Sequence, residues 1–387
     1  MTGLTPEELA RYSRHLRLEE MGISGQTRLK NSRVLVIGAG GLGSPAALYL
    51  AAAGVGTLGI VDFDRVEPHN LQRQLLHTDS TVGELKTASA AARLRAANPL
   101  ITVNEHATAV TASNAVALFS EYDVIVDGTD TFPTRYLNND AAVLAQRPLV
   151  HGSIFRFEGT VSVFAPHLGG PCYRCLFSDP PPSGTVPTCE QAGVLGALCG
   201  IIGSLQAMEA IKLITGVGTP LIGSVLTCDA LTQEFRRLRL AKSPSCRACG
   251  PGASLQEPIP AEPEACNNQS TPPMKAASAE APLELSVEEV SNLLRTNPEG
   301  IALIDVRETY EAEICRIGCA RLIPLRQLSD HLASLATDRH LLIYCHHGGR
   351  SLRATEFLRS RGFANVSNMR GGIDAWAERI EAGMRRY

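Results

Sequence analysis

The sequence predicts an α/β protein in which a large unit with a mixed, mostly parallel sheet is followed by a smaller α/β unit. Short apolar strands alternate with helices over residues 1–250, the pattern of a sheet covered by helices on both faces. Residues 251–283 are rich in Pro, Ala, Ser and Glu and offer little to bury, so they are expected to form a flexible linker. Strands and helices resume over residues 284–387, which predicts the second unit.

Composition limits the classes of function. The chain has 387 residues, of which 44% are hydrophobic, and this is enough for two or three globular units. The formal net charge is −3 without long basic runs, so no nucleic-acid partner is expected. The N-terminus does not resemble a signal peptide, and the most apolar stretch, 193–203, is too short to span a bilayer. We therefore expect a soluble, cytoplasmic protein with no membrane partner, whose 11 cysteines favour metal or catalytic roles over disulfides.

Helix caps and apolar runs place the first elements. Residues 5–8 (TPEE) are typical of a helix start, with a capping residue, an early proline and acids at the positive end of the helix dipole. This helix is expected to reach about Leu18. Residues 33–37 form a short apolar strand that enters the glycine-rich turn 38–43, and an alanine-rich helix and a second strand, 57–61, follow.

The remaining elements follow from the same alternation. In the large unit, helices are expected over 83–98 and 193–216, and strands over 101–106, 122–126, 148–151, 160–164 and 224–228. Apolar and polar residues alternate at 160–164 as in an antiparallel strand, so we expect a mixed sheet. In the small unit, helices are expected to begin at Ser286, within the loop after Cys345 and at Gly371, and strands to cover 302–305 and 340–344.

The glycine-rich turn predicts a nucleotide site. Gly40 and Gly41 carry no side chain, so backbone N–H groups there can approach a phosphate, and the helix N-terminus adds a favourable potential. Asp62, at the end of the next strand, is placed to bind ribose hydroxyls. A turn without a ligand and a dinucleotide-dependent oxidoreductase are the alternatives at this point.

Charged residues farther along favour a triphosphate. Arg73, in the run NLQRQ, and Lys86, on the next helix, can neutralise the charge that develops when a triphosphate is attacked. Asp130 follows the strand 122–126, at the sheet edge where ligands bind, and its carboxylate suits Mg²⁺. Together these residues argue against hydride chemistry.

Residues 5–250 resemble the adenylating domain of the MoeB/ThiF family, relatives of the ubiquitin-activating enzymes. The resemblance rests on GAGGLGSPAALYLAAAGVGTLGIVDFD, NLQRQ, Lys86 and DGTD. It implies a Rossmann-like mixed sheet of the ubiquitin-activating type and ATP-dependent adenylation of the C-terminal glycine of a ubiquitin-fold sulfur carrier protein. It assigns ATP and Mg²⁺ to Gly40, Gly41, Asp62, Asn70, Arg73, Gln74, Lys86 and Asp130. Arg14 matches an arginine that in the family reaches the nucleotide of the opposite subunit, which implies a homodimer.

Two C-x-x-C pairs predict a zinc site. They are Cys172 with Cys175, and Cys246 with Cys249. Each pair lets two thiolates bind one ion, and two pairs complete a tetrahedron. Because protein sulfurs would fill all four positions, the zinc is expected to be a structural staple between distant segments. One pair alone could be redox-active or accidental, but the MoeB-like family carries both.

The segment CHHGGRS, which follows a strand and opens a helix, predicts a reactive cysteine. Backbone N–H groups and Arg350 are expected to converge on the sulfur of Cys345, which favours a thiolate and an anionic persulfide. A phosphatase is the alternative, but phosphatases of the related fold have a longer loop between the cysteine and the arginine. With IDVR and RGGIDAW, residues 284–387 resemble rhodanese sulfurtransferases, which implies that Cys345 carries a persulfide. His346 and His347 either tune the loop's acidity or face solvent.

The two resemblances together imply a function. The carrier becomes an acyl-adenylate, and Cys345, loaded by a donor such as thiosulfate or a cysteine desulfurase, converts it to a thiocarboxylate. The carrier decides between molybdopterin, thiamine, cysteine, siderophore and tRNA thiolation pathways. Cys189 either resolves the acyl disulfide or is a bystander. In the alternative function, the carrier is passed on as a thioester of Cys189.

Overall fold

The computed structural model of the chain describes residues 3–181, 193–259, 281–318, 320–336 and 339–387. Two compact units, Met1–Gln269 and Ser270–Tyr387, are distinguished by their internal contacts. Most of the predicted linker, 251–283, lies outside the described residues.

An eight-stranded sheet forms the centre of the large unit. Its strands are β1 (Arg33–Ile37), β2 (Thr57–Val61), β3 (Thr102–His106), β4 (Val124–Asp127), β5 (Leu149–Phe155), β6 (Glu158–Phe164), β7 (Ser224–Asp229) and β8 (Glu234–Arg239). They lie in the order β3-β2-β1-β4-β5-β6-β7-β8. The pairs within β3-β2-β1-β4-β5 are parallel, and the pairs from β5 to β8 are antiparallel. The predicted mixed sheet is confirmed, and β1 and β2 have the predicted bounds.

Helices cover this sheet. They are α1 (Pro6–Arg11), α2 (Ser13–Leu16), α3 (Gly22–Lys30), α4 (Gly43–Ala53), α5 (Lys86–Ala97), α6 (Ala115–Ser120), α7 (Phe132–Leu144), α8 (Tyr173–Leu176) and α9 (Gly196–Thr215). One core cluster contains α4, α5 and α9, and a second contains α6 and α7 with the opposite side chains of β1 and β4. This two-sided burial explains why the central parallel strands are apolar throughout.

The N-terminal helix differs from the prediction. Thr5 caps α1, as expected, and its hydroxyl accepts from the N–H of Glu8. The helix does not continue to Leu18 but breaks at Tyr12, which has φ −95° and ψ 15°. The Tyr12 ring is buried, and its hydroxyl accepts from Asn98 Nδ2 at 2.8 Å. The break in the helix at Tyr12 accompanies the burial of its ring and its hydrogen bond with Asn98.

Helix α9 is long and apolar enough to cross a membrane by length and composition. It packs instead on α4 and β5. Gln206 Nε2 donates to the Asp127 carbonyl at 2.7 Å, and Glu209 Oε2 accepts from Leu221 N at 2.7 Å. These buried polar contacts identify α9 as a core helix of the large unit.

The small unit has five parallel strands. They are β9 (Glu284–Leu285), β10 (Ile301–Asp305), β11 (Arg321–Leu322), β12 (His340–Tyr344) and β13 (Val366–Met369), in the order β11-β10-β12-β13-β9. Helices α10 (Val287–Thr296), α11 (Thr309–Ile314), α12 (Gly349–Ser360) and α13 (Gly372–Arg379) pack on both faces. Ser286 caps α10 with a full capping box, and β12 has the predicted bounds. The central strand β12 ends at Cys345, which places the predicted reactive loop at the carboxyl edge of the sheet.

Candidate functional site

The glycine-rich turn lies at the carboxyl end of β1, where the strand order reverses between β1 and β4. Ligands of open α/β sheets bind at such a switch point. Gly38 has φ +88°, and its N–H donates to the Val61 carbonyl at 2.8 Å. A Cβ at Gly43 would lie 1.8 Å from the Gly38 carbonyl oxygen. The turn therefore requires glycine at both positions and carries half-buried Gly40 and Gly41 to the start of α4.

Asp62 holds this turn from the neighbouring strand. Its Oδ2 accepts from the Ala39 N–H at 2.8 Å, and its Oδ1 accepts from the Asp64 N–H at 2.9 Å. The carboxylate is half-buried and fixes the backbone beside Gly40. Asp62 thus lies where a ribose-binding acid is expected, with a second, structural task that the sequence did not indicate.

The segment after β2 brings further predicted residues to the turn. Asn70 and Gln74 are buried, and Gln74 Oε1 has no hydrogen-bond partner among the described residues. A Cβ built at Gly40 would lie 3.9 Å from Gln74 Nε2, and one at Gly41 would lie 3.5 Å from Arg73 Cδ. Arg73 donates to the His69 carbonyl at 3.1 Å. These residues line one side of the glycine-rich turn, and Gln74 Oε1 is available there to a ligand.

Lys86 begins α5 and adds a cation. Its side chain is 9% exposed, and Nζ lies 2.9 Å from Asp64 Oδ2. The buried His77, which sequence reasoning missed, lies 3.0 Å from the Ala39 carbonyl oxygen through Nε2 and 2.9 Å from Ser89 Oγ through Nδ1. Burial and nearby Lys86 hold the pKa of His77 below its ordinary value. A neutral His77 therefore donates to the turn and braces it.

A buried polar network shapes the loop after β4. Asp127 Oδ1 accepts from the Thr129 N–H, the Thr129 hydroxyl and Asn138 Nδ2, and Oδ2 accepts from His151 Nδ1 at 3.0 Å. Burial raises the pKa of Asp127, but the hydrogen bonds from His151 and Thr129 and the nearby Arg135 charge together outweigh burial, and the net pKa lies below the usual range. Burial lowers the pKa of His151, so an aspartate faces a neutral imidazole. The network fixes the loop that presents Asp130, whose own side chain is exposed.

Arg14 lies apart from these residues. It is exposed on α2, near the N-terminus of the large unit. This position leaves its side chain free to reach a neighbouring molecule.

The four predicted metal ligands come together between α8 and the segment after β8. Their sulfurs all lie within 4.8 Å of one another, with Cys172–Cys175 at 3.9 Å, Cys172–Cys246 at 3.5 Å and Cys175–Cys249 at 3.4 Å. A tetrahedral Zn²⁺ with bonds of about 2.3 Å places sulfurs about 3.8 Å apart. Burial and the neighbouring sulfurs raise the pKa of Cys172. The same two causes raise the pKa of Cys249 to about 12. A cation at the centre would remove that repulsion, so the donor set fits a metal ion.

The residues between the first two cysteines join this cluster to α7. The Tyr173 N–H donates to Asn139 Oδ1 at 2.7 Å. Arg174 binds Asp140 through Nε and Nη2, each at 2.7 Å, with both side chains almost fully buried. Because α7 also carries Asn138, the cysteine cluster and the Asp127 network share one helix.

In the small unit, Cys345 lies buried at the end of β12. Its Sγ accepts from the Gly348 N–H at 3.1 Å and from the Ser351 hydroxyl at 3.3 Å. Gly348 has φ +101° and turns its N–H toward the sulfur. These two hydrogen bonds hold the sulfur at the carboxyl edge of the sheet.

Arg350 points to a carboxylate rather than donating to Cys345. Its Nη1 and Nη2 each lie 2.6 Å from an oxygen of Glu311, which also accepts from the Tyr387 hydroxyl at 3.1 Å. Burial opposes ionisation of Glu311, but the bonds and charge of Arg350 together with the hydrogen bonds from the Glu308 N–H and the Tyr387 hydroxyl outweigh burial and hold the pKa of Glu311 below its ordinary value. The Gly348 N–H reaches the sulfur as predicted, but the predicted donation by Arg350 is wrong, because Glu311 binds its guanidinium. Ser351, Glu311 and Tyr387 are site residues that sequence reasoning missed.

Two histidines rim the loop. The His346 ring stacks on Tyr387, with centroids 4.2 Å apart, and lies 3.9 Å from the His347 ring. Burial, then the neighbouring His347, lowers the pKa of His346 to about 4. His347 is largely exposed, with Nδ1 3.8 Å from Asp374 Oδ2. One imidazole therefore packs and the other faces solvent.

Three further cysteines, Cys189, Cys266 and Cys319, lie outside the described residues. The prediction of a role for Cys189 therefore stays a prediction. Cys199 is buried, and a Cβ at Gly41 would lie 2.9 Å from its sulfur.

Comparisons with family models divide the chain in the same way. Residues 12–248 match the ThiF family, and residues 286–379 match the rhodanese-like domain. The first match contains the glycine-rich turn, Lys86 and the four clustered cysteines, and the second contains Cys345.

Relatives match over the full chain. The probable adenylyltransferase/sulfurtransferase MoeZ of Mycobacterium tuberculosis (strain ATCC 25618 / H37Rv) is 46% identical over 391 residues, covering 100% of this chain and 97% of the relative. The adenylyltransferase and sulfurtransferase MOCS3 of Sus scrofa is 40% identical over 407 residues, covering 100% of this chain and 89% of the relative.

Solved structures match the large unit. The crystal structure of E. coli MccB with ATP has a TM-score of 0.54 and 25% identity, covering 62% of this chain and 73% of that chain. The crystal structure of E. coli MccB with AMPCPP and SeMet MccA has a TM-score of 0.55 and 26% identity, covering 62% and 74%. With the glycine-rich turn and the Cys345 loop in place, these matches show that the chain belongs to the ThiF family, as an adenylyltransferase/sulfurtransferase with a rhodanese-like domain.

Proposed function

We propose that the two units act in sequence on one substrate, the C-terminal glycine of a ubiquitin-fold sulfur carrier protein. The large unit adenylates the carboxylate with ATP, and the small unit converts the product to a thiocarboxylate with sulfur from a Cys345 persulfide. One observation carries this proposal: the Cys345 sulfur accepts two hydrogen bonds in a loop of the same chain that holds the nucleotide-binding turn. The full-length match to adenylyltransferase/sulfurtransferase relatives supports it.

The ATP site is placed at the glycine-rich turn. Crystal structures of the related MccB with ATP and with AMPCPP and MccA support a nucleotide and a second substrate on this fold. We assign the nucleotide to Gly40, Gly41, Asp62, Asn70, Arg73, Gln74 and Lys86. The guanidinium of Arg73 and the ammonium of Lys86 face the phosphates and stabilise the charge that develops on pyrophosphate. Lys86 must first exchange its contact with Asp64, because the two now pair at 2.9 Å.

Two metals complete this assignment. Asp130 offers an exposed carboxylate at the edge of the nucleotide site, which fits one oxygen ligand of a Mg²⁺ bound largely through phosphates. When bound, Mg²⁺ neutralises phosphate charge. Zn²⁺ fits the four clustered cysteines, Cys172, Cys175, Cys246 and Cys249, and holds their segments together.

The chemistry takes three steps. A carboxylate oxygen of the carrier attacks the α-phosphorus of ATP and expels pyrophosphate. The terminal sulfur of the Cys345 persulfide attacks the acyl carbon, AMP leaves, and an acyl disulfide joins carrier and enzyme. A thiolate then attacks the Cys345 sulfur of that disulfide, and the carrier leaves as a thiocarboxylate, whose sulfur takes the two electrons. The attacking sulfur and Cys345 remain joined in a new disulfide, which a further thiol reduces before Cys345 is reloaded. Cys189 or an external thiol is the candidate reductant.

The partners follow from these steps. A sulfur donor, such as thiosulfate or a cysteine desulfurase, reloads Cys345. A homodimer lets the exposed Arg14 of one subunit reach the nucleotide of the other. We place the enzyme in the cytoplasm.

Incubation with a carrier ending in Gly-Gly, ATP, Mg²⁺, thiosulfate and a thiol tests the proposal by mass spectrometry. The expected product is a carrier in which one oxygen is replaced by sulfur, with release of pyrophosphate. Absence of pyrophosphate release would sink the proposal. A carrier held as a Cys189 thioester, with no sulfur gained, would favour the alternative function.

A further inference from the structure

A cavity of about 390 Å³ opens beside Asp130 in the large unit. It lies over β5, β6 and β7, between α8 and the start of α7, and its lining includes the aromatic side chains of Phe155, Phe164 and Tyr173. Its volume is in the range of sites that bind small molecules or short peptide segments. The cavity is therefore large enough for an extended tail, and it opens beside the proposed Mg²⁺ ligand.

Arg135 gives this cavity a buried positive charge. The residue is 8% exposed and lies in the first turns of α7, with its guanidinium 5.3 Å from the Phe132 ring centroid. Within the described ranges it forms no salt bridge, and its Nε has no hydrogen-bond partner. The Tyr173 hydroxyl lies near enough that the Arg135 charge opposes the rise that burial causes in the pKa of Tyr173. A buried guanidinium without a counter-charge is costly, so this site is built to receive an anion.

Neighbouring charges do not satisfy Arg135. Asp127 is near enough to be stabilised by it, but the carboxylate already accepts from Thr129, Asn138 and His151. His151, which also lines the cavity, is neutral because of its burial. Asp130 is exposed at the rim. The cavity thus keeps one unneutralised cation within apolar walls.

We infer that Arg135 receives the terminal carboxylate of the carrier's Gly-Gly tail inside this cavity. This inference rests on the proposed function and names the residue that selects its substrate. Two glycines carry no side chains and need little of the cavity's volume, and a carboxylate is the one charge that every such tail carries at its end. Adenylation turns this anion into a neutral acyl group, so the contact with Arg135 weakens as the product forms. Arg135 therefore selects for an unreacted carboxylate and holds it beside the Asp130 edge.

A comparison of two carriers tests this role. One ubiquitin-fold protein ending in Gly-Gly is prepared as the free acid and as the C-terminal amide, and its affinity for the full-length chain is measured by calorimetry without nucleotide. We expect the acid to bind wild type at least about tenfold more tightly than the amide, because a charge-assisted hydrogen bond is lost with the amide. In Arg135→Gln, the acid is expected to bind no better than the amide. The affinity for the amide itself is expected to stay unchanged, which also reports correct folding.

Two further variants complete the design. Arg135→Lys is expected to restore part of the preference for the acid, because the positive charge remains. Arg95→Gln, which removes an arginine from the distant α5–β3 edge, is expected to keep the full preference. A tenfold preference that survives in Arg135→Gln overturns the inference, as does a wild type that binds both carriers equally. Carrier-dependent pyrophosphate exchange by wild type separates this failure from failure of the proposed function itself.

Discussion

At the scale of single residues, Cys345 is held by donors rather than by a cation. Gly348 N–H and the Ser351 hydroxyl reach its sulfur, while Arg350 is occupied by Glu311. Cys345 is buried, and these two hydrogen bonds fix its sulfur at the end of β12. Arg350 lies in the same loop, and the buried carboxylate of Glu311 fixes the orientation of its guanidinium.

Replacement of Cys345 separates the two activities. We expect Cys345→Ala to abolish transfer of sulfur to the carrier and to leave carrier-dependent pyrophosphate exchange at the wild-type rate, because the nucleotide site is built from other residues. Cys315→Ala, in the same unit, is the matched control and is expected to keep both activities. Equal loss of exchange and transfer in Cys345→Ala would show that the division of labour is wrong.

The Arg350–Glu311 pair predicts a measurable loss of stability. Glu311→Gln leaves a buried guanidinium without its carboxylate, and breaking such a pair costs about 3 kcal/mol. The sole tryptophan of the chain, Trp376, lies in the small unit, so its fluorescence during urea unfolding reports this unit. The pKa of Glu311 is depressed, so its contribution is complete above pH about 4.3 and is lost as pH falls through the lower folded pKa. The stability gap between wild type and variant should therefore close in acid, and a gap independent of pH would contradict the assignment.

His346, in the same loop, is expected to make the stability of the small unit depend on pH. Its pKa falls from an ordinary 6.5 to about 4 because of burial. Between these two pKa values, His346 binds a proton in the unfolded chain but not in the folded one. The contribution of neutral His346 to the free energy of unfolding is therefore complete above pH 6.5 and decreases as pH falls toward 4. We expect His346→Asn to lose less stability between pH 7 and pH 5 than wild type, measured by Trp376 fluorescence. The exposed His347→Asn is the control, and an identical pH slope in wild type and His346→Asn would refute the prediction.

The same residues show how far sequence reasoning reaches. The glycine-rich turn and the Cys345 loop are local patterns, so their chemistry was readable without a fold. The partner of Arg350, Glu311, lies 39 positions away in sequence, and the pairing of β10 with β12 brings the two residues together. The sequence does not single out Arg135, because the cavity beside it is formed by segments distant in sequence.

At the scale of elements, periodicity located the buried strands well and the exposed ones poorly. β1, β2 and β12 are short and apolar, and their predicted bounds agree with the structure. β8 was missed because all of its side chains are exposed and its apolar residues, Phe235 and Leu238, do not alternate with period two. An edge strand of this kind is fixed by pairing with β7, which a single-strand pattern cannot reveal.

Removal of a metal ion from the cysteine cluster is expected to destabilise the large unit. Chelation of zinc is expected to lower the melting temperature of the large unit in proportion to the metal removed. Without the ion, no metal–sulfur bonds hold the segments around Cys172 and Cys246 together, and their clustered sulfurs repel one another. Calorimetry with parallel metal analysis measures this. Trp376 lies in the other unit, so its unfolding transition should not move and serves as an internal control. Protein purified without chelator that contains no zinc would remove the assignment.

At the scale of the whole molecule, two units with separate cores carry the two halves of one reaction. The composition of residues 251–283 predicted the division, and the family matches, 12–248 and 286–379, fall on either side of it. Composition reports only that a segment lacks apolar residues. It does not fix where the second unit works, because that depends on contacts made during the reaction.

We propose that delivery of Cys345 to the adenylate depends on the length of the predicted linker, 251–283. A segment of about 30 residues with this composition is predicted to reach roughly 30 Å on average, which would let one unit visit the other. Deletion of residues 260–280 is expected to leave carrier-dependent pyrophosphate exchange unchanged and to slow sulfur transfer at least about tenfold, since the effective concentration of Cys345 at the adenylate falls when a tether cannot span the sites.

A Gly-Ser segment of the same length in place of residues 260–280 distinguishes length from sequence. It is expected to restore transfer, because the tether needs reach rather than specific contacts. Single-turnover transfer from persulfide-loaded enzyme to preformed carrier adenylate isolates the step from reloading by the donor. Transfer at the wild-type rate in the deletion would show that Cys345 reaches the adenylate without this segment, and failure of the Gly-Ser replacement would give residues 260–280 a specific binding role.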